Sequence, residues 1–585
     1  MKSLLYIFLF LLLISLHLNI GGWFVESQGL FYIASLGVLL LSAILMRKGF
    51  CIGKGECLIS ILCTYILIQM VVRGHEYGSY WIFSVAILWL LFFAFKNLFH
   101  QNRLFVKYTF WFVVAGAGLE ILYGFGQLFG FIGNGESHFI LGGSLNNPGA
   151  YAGYLSAVFP LILSVWLIYD KRHKKAENIS YVLASCLILM FYLIIISQSR
   201  GAWIACSVGS LVVLNNKFLF YNKIVVFLNT AARKFVAVVC SVLLIAIAAY
   251  ALYQYKADSA FGRLLVWKVA LQKPYQNLIV GDGIGVFEAN YGHWQSDYFA
   301  RGSSSDAEKK VADYVTCAYN EPLQIFIEQG LLGLFLWAGV FVAAFRRKKS
   351  PYSPFILGAK ASLCAIAVLS FVSYPFQTAL IYLHFIICLA IIFHKKHASD
   401  FAVFPKLQWI CTVAGTITLA LGFINLHGYK LQREGLKSVF EGRIDAGIEK
   451  YKEAYPILKD NGIFLFYYGS ALALKEQYDE SSELLEQSIR KTSNPNGYIL
   501  LGNNYRKQGK YNEAESAYKN VIYQIPSKLY SKYRLVQLLL EQGRESEARR
   551  WANEILATKE KVPTTAAKEI KEEMRKLLQY ESVDK

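Results

Sequence analysis

The sequence predicts an all-α protein in two parts: a polytopic bundle of membrane helices, then a soluble helical solenoid. Three observations carry this. The 585-residue chain is 55% hydrophobic and only 17% charged, with a mean hydropathy of +0.37, values of a multi-pass membrane protein. Apolar runs of roughly 17–22 residues, long enough to span a bilayer, recur over the first 425 residues. From Tyr429 onward the chain is charged and repeats with a period of about 34 residues.

The apolar runs fall at 4–20, 28–46, 57–72, 79–96, 108–130, 150–169, 179–196, 201–216, 234–252, 322–345, 356–373, 377–393 and 407–425, about twelve or thirteen spans. No small-residue cleavage site follows Leu4–Ile20, so it reads as a span rather than a signal peptide. Positive charge orients the bundle. Segments 47–56, 96–107, 170–178, 215–234, 346–353 and 394–406 hold 3, 3, 4, 4, 4 and 3 Lys plus Arg. The alternate segments 21–27, 73–78, 131–149, 197–200 and 374–376 hold 0, 1, 0, 1 and 0. Lys/Arg-rich loops stay cytoplasmic, so the N-terminus is expected inside and the C-terminal region outside. The net charge of +19 is largely this topology signal and does not argue for nucleic acid. The ten cysteines form no CxxC pair or disulfide framework. There is no Walker A loop and no His/Cys/Asp cluster with metal-ligand spacing. Gly281-Asp282-Gly283-Ile284-Gly285 lacks the strand–helix context of a dinucleotide site. No cofactor and no metal are expected.

The expected domains are 1–426, membrane, and 427–585, soluble. In the second, Gly442, Glu476, Gly509 and Gly543 share one repeat position, and Gly447, Ser481, Ala514 and Ala548 the small-residue position five further on. With Leu501, Gly502, Tyr505, Tyr518 and Pro526 in the best copy, these residues resemble the tetratricopeptide repeat, which implies a groove for a peptide or partner protein. The one long loop of the membrane part, 253–319, carries an amphipathic helix (Arg263 to Gln272), a Gly-rich turn, many aromatics and a polar stretch, Arg301 to Asp313, read as mobile.

Four polar features fall on the outer face. They are Gly142-Gly143-Ser144-Leu145-Asn146-Asn147-Pro148, the motif Ser197-Gln198-Ser199-Arg200-Gly201-Ala202-Trp203 pinched between two spans, the 253–319 loop with Arg263, and Tyr319-Asn320-Glu321-Pro322-Leu323-Gln324 at the start of a span. A charge at the edge of a span is costly and marks function, and a guanidinium fork fits phosphate bidentately. Arg200 and Arg263 are therefore the leading candidates, with Lys268, one turn on, a weaker one. On span five, Glu120, Tyr123 and Gln127 form a polar stripe that either lines a ligand path or satisfies itself between helices. His138 reads as an exposed loop residue.

These motifs in order, with Gly281-Asp282-Gly283-Ile284-Gly285-Val286-Phe287, Asn320-Glu321-Pro322-Leu323-Gln324-Ile325-Phe326-Ile327-Glu328-Gln329-Gly330 and Ser373-Tyr374-Pro375, resemble the O-antigen ligase/polymerase superfamily, which includes bacterial protein O-oligosaccharyltransferases. The likeness covers roughly residues 100–395. It implies transfer of a glycan from undecaprenyl pyrophosphate to an acceptor hydroxyl at the periplasmic face of the inner membrane, without nucleotide or metal. Arg200 and Arg263 would hold the pyrophosphate, with Asn146, Asn147, Asn320, Gln324, Lys268 and Gln127 as further substrate contacts. Family members carry His-Asn where this chain has Tyr319-Asn320, and a phenol is a poor base at neutral pH. Glu321 is expected to take the acceptor's proton instead, with His293 the second candidate. The acceptor is open between a lipid A-core sugar, a protein Ser/Thr and a growing glycan (a polymerase). A reading of another class is a non-catalytic envelope scaffold or exporter that recruits periplasmic proteins through its repeats.

Overall fold

The computed structural model describes the chain apart from residues 1, 19–23, 46–50, 74–78, 134–138, 169–173, 220–229, 232–234, 237–238, 240–253, 255–256, 274, 303, 348–352, 395–400, 403–405, 562–563 and 580–585. The membrane part contains α1 (Lys2–Ser15), α2 (Phe24–Leu45), α3 (Lys54–Arg73), α4 (Ser79–Gln101), α5 (Arg103–Leu128), α6 (Pro148–Ile168), α7 (Lys174–Ile196) and α8 (Arg200–Phe218). The long loop follows with α9 (Ala257–Leu271), α10 (Val286–Ala300) and α11 (Asp306–Val311). Then come α12 (Glu321–Arg346), α13 (Pro354–Val372), α14 (Ala379–Phe393) and α15 (Lys406–Phe440). Eight described helices are long and apolar enough to cross a membrane, so the chain is a multi-pass membrane protein. Most of the expected span 234–252, and His138, lie outside the described residues. Two short strands, β1 (Cys51–Ile52) and β2 (Phe401–Ala402), pair antiparallel between segments expected on the cytoplasmic side.

Small residues let the helices behind the site close up. Hydrophobic attraction is weak in lipid, so close backbone approach and hydrogen bonds hold such helices together. Ala202 and Ala205 of α8 and Ala361 and Ala365 of α13 are fully buried, and Ser156 of α6 donates to Ala202 O at 2.9 Å. This packing sets the start of α8, and thus Arg200, beside the end of α13.

The transmembrane helix α12 is broken at Gly330, whose φ/ψ are 68° and −169°. The Gly-rich turn of the long loop plugs the break. Asp282 N donates to Ile327 O (3.0 Å), Gly283 N to Glu328 O (2.9 Å), Leu331 N to Leu278 O (2.9 Å) and Leu332 N to Ile279 O (3.0 Å). The Tyr65 hydroxyl of α3 donates toward both Val280 O and Gln329 O, and Gln69 to Val280 O. Backbone groups freed inside a membrane helix must find partners, and here the loop supplies them. Lys273, buried, pairs with Asp282 and lies over the Tyr275 and Trp294 rings, tying the turn to the rest of the loop. The stretch expected to be mobile instead holds α11, closed by a Ser305/Glu308 capping box. That pattern stood in the sequence as Ser-x-x-Glu.

The last membrane helix continues without interruption through residue 426 into the repeats. These are α16 (Ile444–Leu458), α17 (Gly462–Leu474), α18 (Tyr478–Thr492), α19 (Pro495–Lys507), α20 (Tyr511–Gln524), α21 (Leu529–Glu541), α22 (Glu545–Ala557) and a closing α23 (Thr565–Gln579). Gly442, Glu476, Gly509 and Gly543 all adopt left-handed φ, at 80°, 59°, 73° and 71°, so one turn geometry recurs at the repeat position. The small residues Gly447, Ser481, Ala514 and Ala548 are buried at the helix crossings.

Candidate functional site

A cavity of about 850 Å³ lies where α7–α8, the end of α13, the turn before α6 and the long loop meet. Arg200, Arg263, Asn147, Tyr319 and Tyr374 all line it. Arg200 opens α8 immediately after a tight turn. Gln198 takes a left-handed φ of 54°, and Ser197 Oγ and Trp203 Nε1 both donate to Ile194 O (2.6 and 2.8 Å). The serine and tryptophan of this motif thus fold the corner that presents the arginine. Arg263 comes from α9, across the cavity. Its guanidinium donates to Val372 O and sits 5.4 Å from the Tyr319 ring centroid. Burial, partly offset by Tyr319 and reinforced by the nearby charge of Arg200, lowers its hold on its proton. Two like charges so close are complementary to a multiply charged anion.

Tyr319 stands at a left-handed φ of 51°, edge-on to Tyr374 at 5.6 Å. Burial raises the Tyr319 hydroxyl above its ordinary value and pushes Tyr374 up to about 12. Both phenols remain protonated at neutral pH, the form that can donate a hydrogen bond.

The other expected site residues fall elsewhere. Asn320 caps α12, accepting from Leu323 N at 2.9 Å and donating to Phe371 O at 3.1 Å. Glu321 points away from the arginines. Its Oε1 accepts from Phe376 N at 2.9 Å, and with Gln324, Glu328 and Glu288 it lines a separate cavity of about 380 Å³. Glu321 is the first residue of α12, after the Asn320 cap, and its side chain turns inward, a direction that sequence adjacency does not reveal. Gln324 accepts from Ala318 N (3.1 Å) and donates to Glu328 Oε1 (3.2 Å). Burial in the second cavity raises the Glu288 carboxyl to about 7.

Lys268 pairs with Glu308 at 2.7 Å. Burial opposes ionisation of Glu308, but Lys268 and the Ser305 backbone outweigh it and hold the carboxyl near 2. Lys268 is therefore a tether between α9 and α11. His293 is half-buried against Tyr498 of the repeats, 3.3 Å from its hydroxyl, and burial lowers its proton affinity. Gln127 is consumed by the turn before α6. Its Oε1 accepts from Gly142 N and Gly143 N (2.9 and 2.8 Å) and its amide donates to Gly143 O (3.2 Å). Glu120 helps, accepting from Ser144 N and Oγ and pairing with His17 at 2.7 Å. The polar stripe of span five thus holds that turn. Asn146 is exposed with φ 51°, and Asn147 accepts from Gly149 N at 2.8 Å at the cavity edge.

Sequence reasoning missed Lys310, Asp258, Asp313 and Lys561, which also line the cavity. They form two ion pairs at its walls, Lys310–Asp258 (3.1 Å) and Lys561–Asp313 (2.5 Å). No local motif marks them. Ser373-Tyr374-Pro375 did stand out, and Tyr374 is the residue of that triplet facing Tyr319.

Residues 185–338 match the family described as O-Antigen ligase, and residues 505–567 match the tetratricopeptide repeat. No curated protein matches the chain. Among solved structures, the chain is similar to the crystal structure of MamA, at 17% identity and a TM-score of 0.23, covering 29% of this chain and 93% of that one. It is similar also to TPR-like repeats of a putative kinesin light chain from Podosopora anserina, at 16% identity and 0.22, covering 27% and 96%. The APC/C hetero-tetramer Cut9-Hcn1 aligns at 13% identity and 0.23, covering 94% of each chain.

Proposed function

We propose that this chain, an O-antigen ligase domain followed by tetratricopeptide repeats, moves a glycan from an undecaprenyl-pyrophosphate carrier to an acceptor hydroxyl at the periplasmic face of the bacterial inner membrane. The observation that carries this is the convergence of Arg200 and Arg263, from separate elements, on one cavity that opens among membrane helices. The donor brings its own leaving group. As the glycosidic C–O bond breaks and the acceptor oxygen bonds the sugar carbon, the acceptor's proton passes to the departing pyrophosphate or to water. The protein's task is to neutralise the charge growing on the pyrophosphate, and fixed donors aimed at developing charge are often the largest catalytic contribution. The Tyr319 and Tyr374 hydroxyls add neutral donors on the same wall. A scaffold needs no such clamp.

Glu321 is not assigned to the chemistry. Glu321→Gln keeps an oxygen to accept from Phe376 N, and transfer is expected to stay within about threefold of wild type, since no general-base contribution, typically about 10²–10⁴, is removed. A fall of a hundredfold in the same transfer assay would return the carboxylate to the reaction.

The function is tested by profiling lipopolysaccharide and periplasmic glycoproteins in a deletion strain. The expected result is loss of one glycoconjugate with accumulation of its lipid-linked precursor. Unchanged profiles of both classes and no accumulated precursor would contradict it. A shortened rather than missing glycan would identify a polymerase.

A further inference from the structure

We propose that Lys561, on the C-terminal repeat domain, is a substrate-binding residue of the membrane-side cavity, contacting the phosphates of the donor together with Arg200 and Arg263, so that the repeats form a wall of the site. This rests on the reading that the cavity takes a lipid pyrophosphate.

Lys561 is nearly 300 residues from Arg263 in sequence, yet both line the same cavity. Its position is built. The loop helix α10 docks against α18 and α20 of the repeats through buried bonds. Gly292 N donates to Ser493 Oγ at 3.2 Å, and a side chain at Gly292 would start 2.0 Å from Gln524 Nε2 and 2.7 Å from Ser493 Oγ, so it would displace the side chains that make this contact. The Gln295 amide, 1% exposed, donates both to Gln524 O of the repeats (2.7 Å) and to Asp313 O of the loop (3.0 Å). Tyr314 OH donates to Thr492 O at 3.0 Å. These bonds join the repeat domain to the limb running from Asp313 to Tyr319, and Gln295, Asp313, Tyr314 and Tyr319 all face the cavity.

The charges there are Arg200, Arg263, Lys310 and Lys561 against Asp258 and Asp313, an excess of two positive charges from four minus two. Lys561 is 44% exposed beside a 54% exposed Asp313. Such a pair is weak in water, and the ammonium can turn to a doubly charged phosphate without leaving a buried carboxylate behind.

The alternative is that Lys561–Asp313 is only a latch between domains, and the two ideas predict opposite effects of Asp313. The test is equilibrium binding of undecaprenyl pyrophosphate, which carries no glycan, to the full-length protein in nanodiscs. Lys561→Ala is expected to weaken binding about threefold to tenfold. Lys561→Arg should bind as wild type, and Lys559→Ala, a nearby exposed lysine, should be unaffected. Asp313→Asn frees the ammonium and should bind equally or more tightly. Unchanged binding in Lys561→Ala, or a loss in Asp313→Asn equal to that in Lys561→Ala, overturns the proposal. Unchanged binding in Arg200→Ala and Arg263→Ala would instead strike the underlying reading of the cavity, whatever Lys561 does.

Discussion

Arg200→Ala and Arg263→Ala each remove glycan transfer almost completely, by about 10²–10³ in turnover if each supplies the roughly 3–4 kcal/mol typical of one positioned donor, while the protein still inserts and accumulates. Arg263 also donates to Val372 O and covers Tyr319, so its alanine variant loses packing as well as charge. Arginine-to-lysine variants separate these effects. Lysine keeps the charge but not the planar fork, so partial recovery is expected. The measurement is transfer activity in membranes normalised to protein level, beside a melting curve of the purified protein. Near-wild-type transfer in both alanine variants would remove the phosphate clamp.

The second large effect is expected far from any charge. In Gly330→Ala the new Cβ would lie 2.3 Å from Ile279 O and 2.4 Å from Gly281 N. The backbone there, at φ 68° and ψ −169°, is one that essentially only glycine adopts, with strain of about 1–3 kcal/mol for other residues before any clash. The plugged break in α12 would open, freeing the loop that delivers Arg263 and Tyr319. A loss of about 3 kcal/mol or more in stability is expected, read as a lowered melting temperature and faster proteolysis of the 257–319 loop. Gly118→Ala, where an added Cβ meets nothing within 4 Å, should change neither. Equal stability of the two variants would contradict the interlock.

Much of the fold was legible because it follows from period and solvent. Within the described residues, runs long enough to span are helical, and the left-handed turns at Gly442, Glu476, Gly509 and Gly543 follow the repeat register read from the sequence. The break at Gly330 was hidden because a glycine in an apolar run looks like any small packing residue. Its partner, the Gly281-Asp282-Gly283 turn, lies some fifty residues earlier. At the site, Arg200 and Arg263 stood out because charge beside a span is costly. Glu321 and His293 stood out as candidate bases and Gln127 as part of a polar stripe, yet they hold backbone turns or a domain contact. Composition marks a polar residue in an apolar setting but not the direction in which it points. Lys561 had no local signal, because its place depends on how a remote domain docks.

The most direct test of the account is a transfer assay with purified protein in proteoliposomes. The donor is an undecaprenyl-pyrophosphate oligosaccharide, nucleotide is omitted, and release of undecaprenyl pyrophosphate is followed together with glycan on added acceptor. Wild type is expected to release carrier and glycosylate acceptor in equal amounts, and the Arg200→Ala/Arg263→Ala double variant to do neither. No release by wild type, or equal release by the double variant, would contradict the claim that two converging arginines make this cavity a glycan-transfer site.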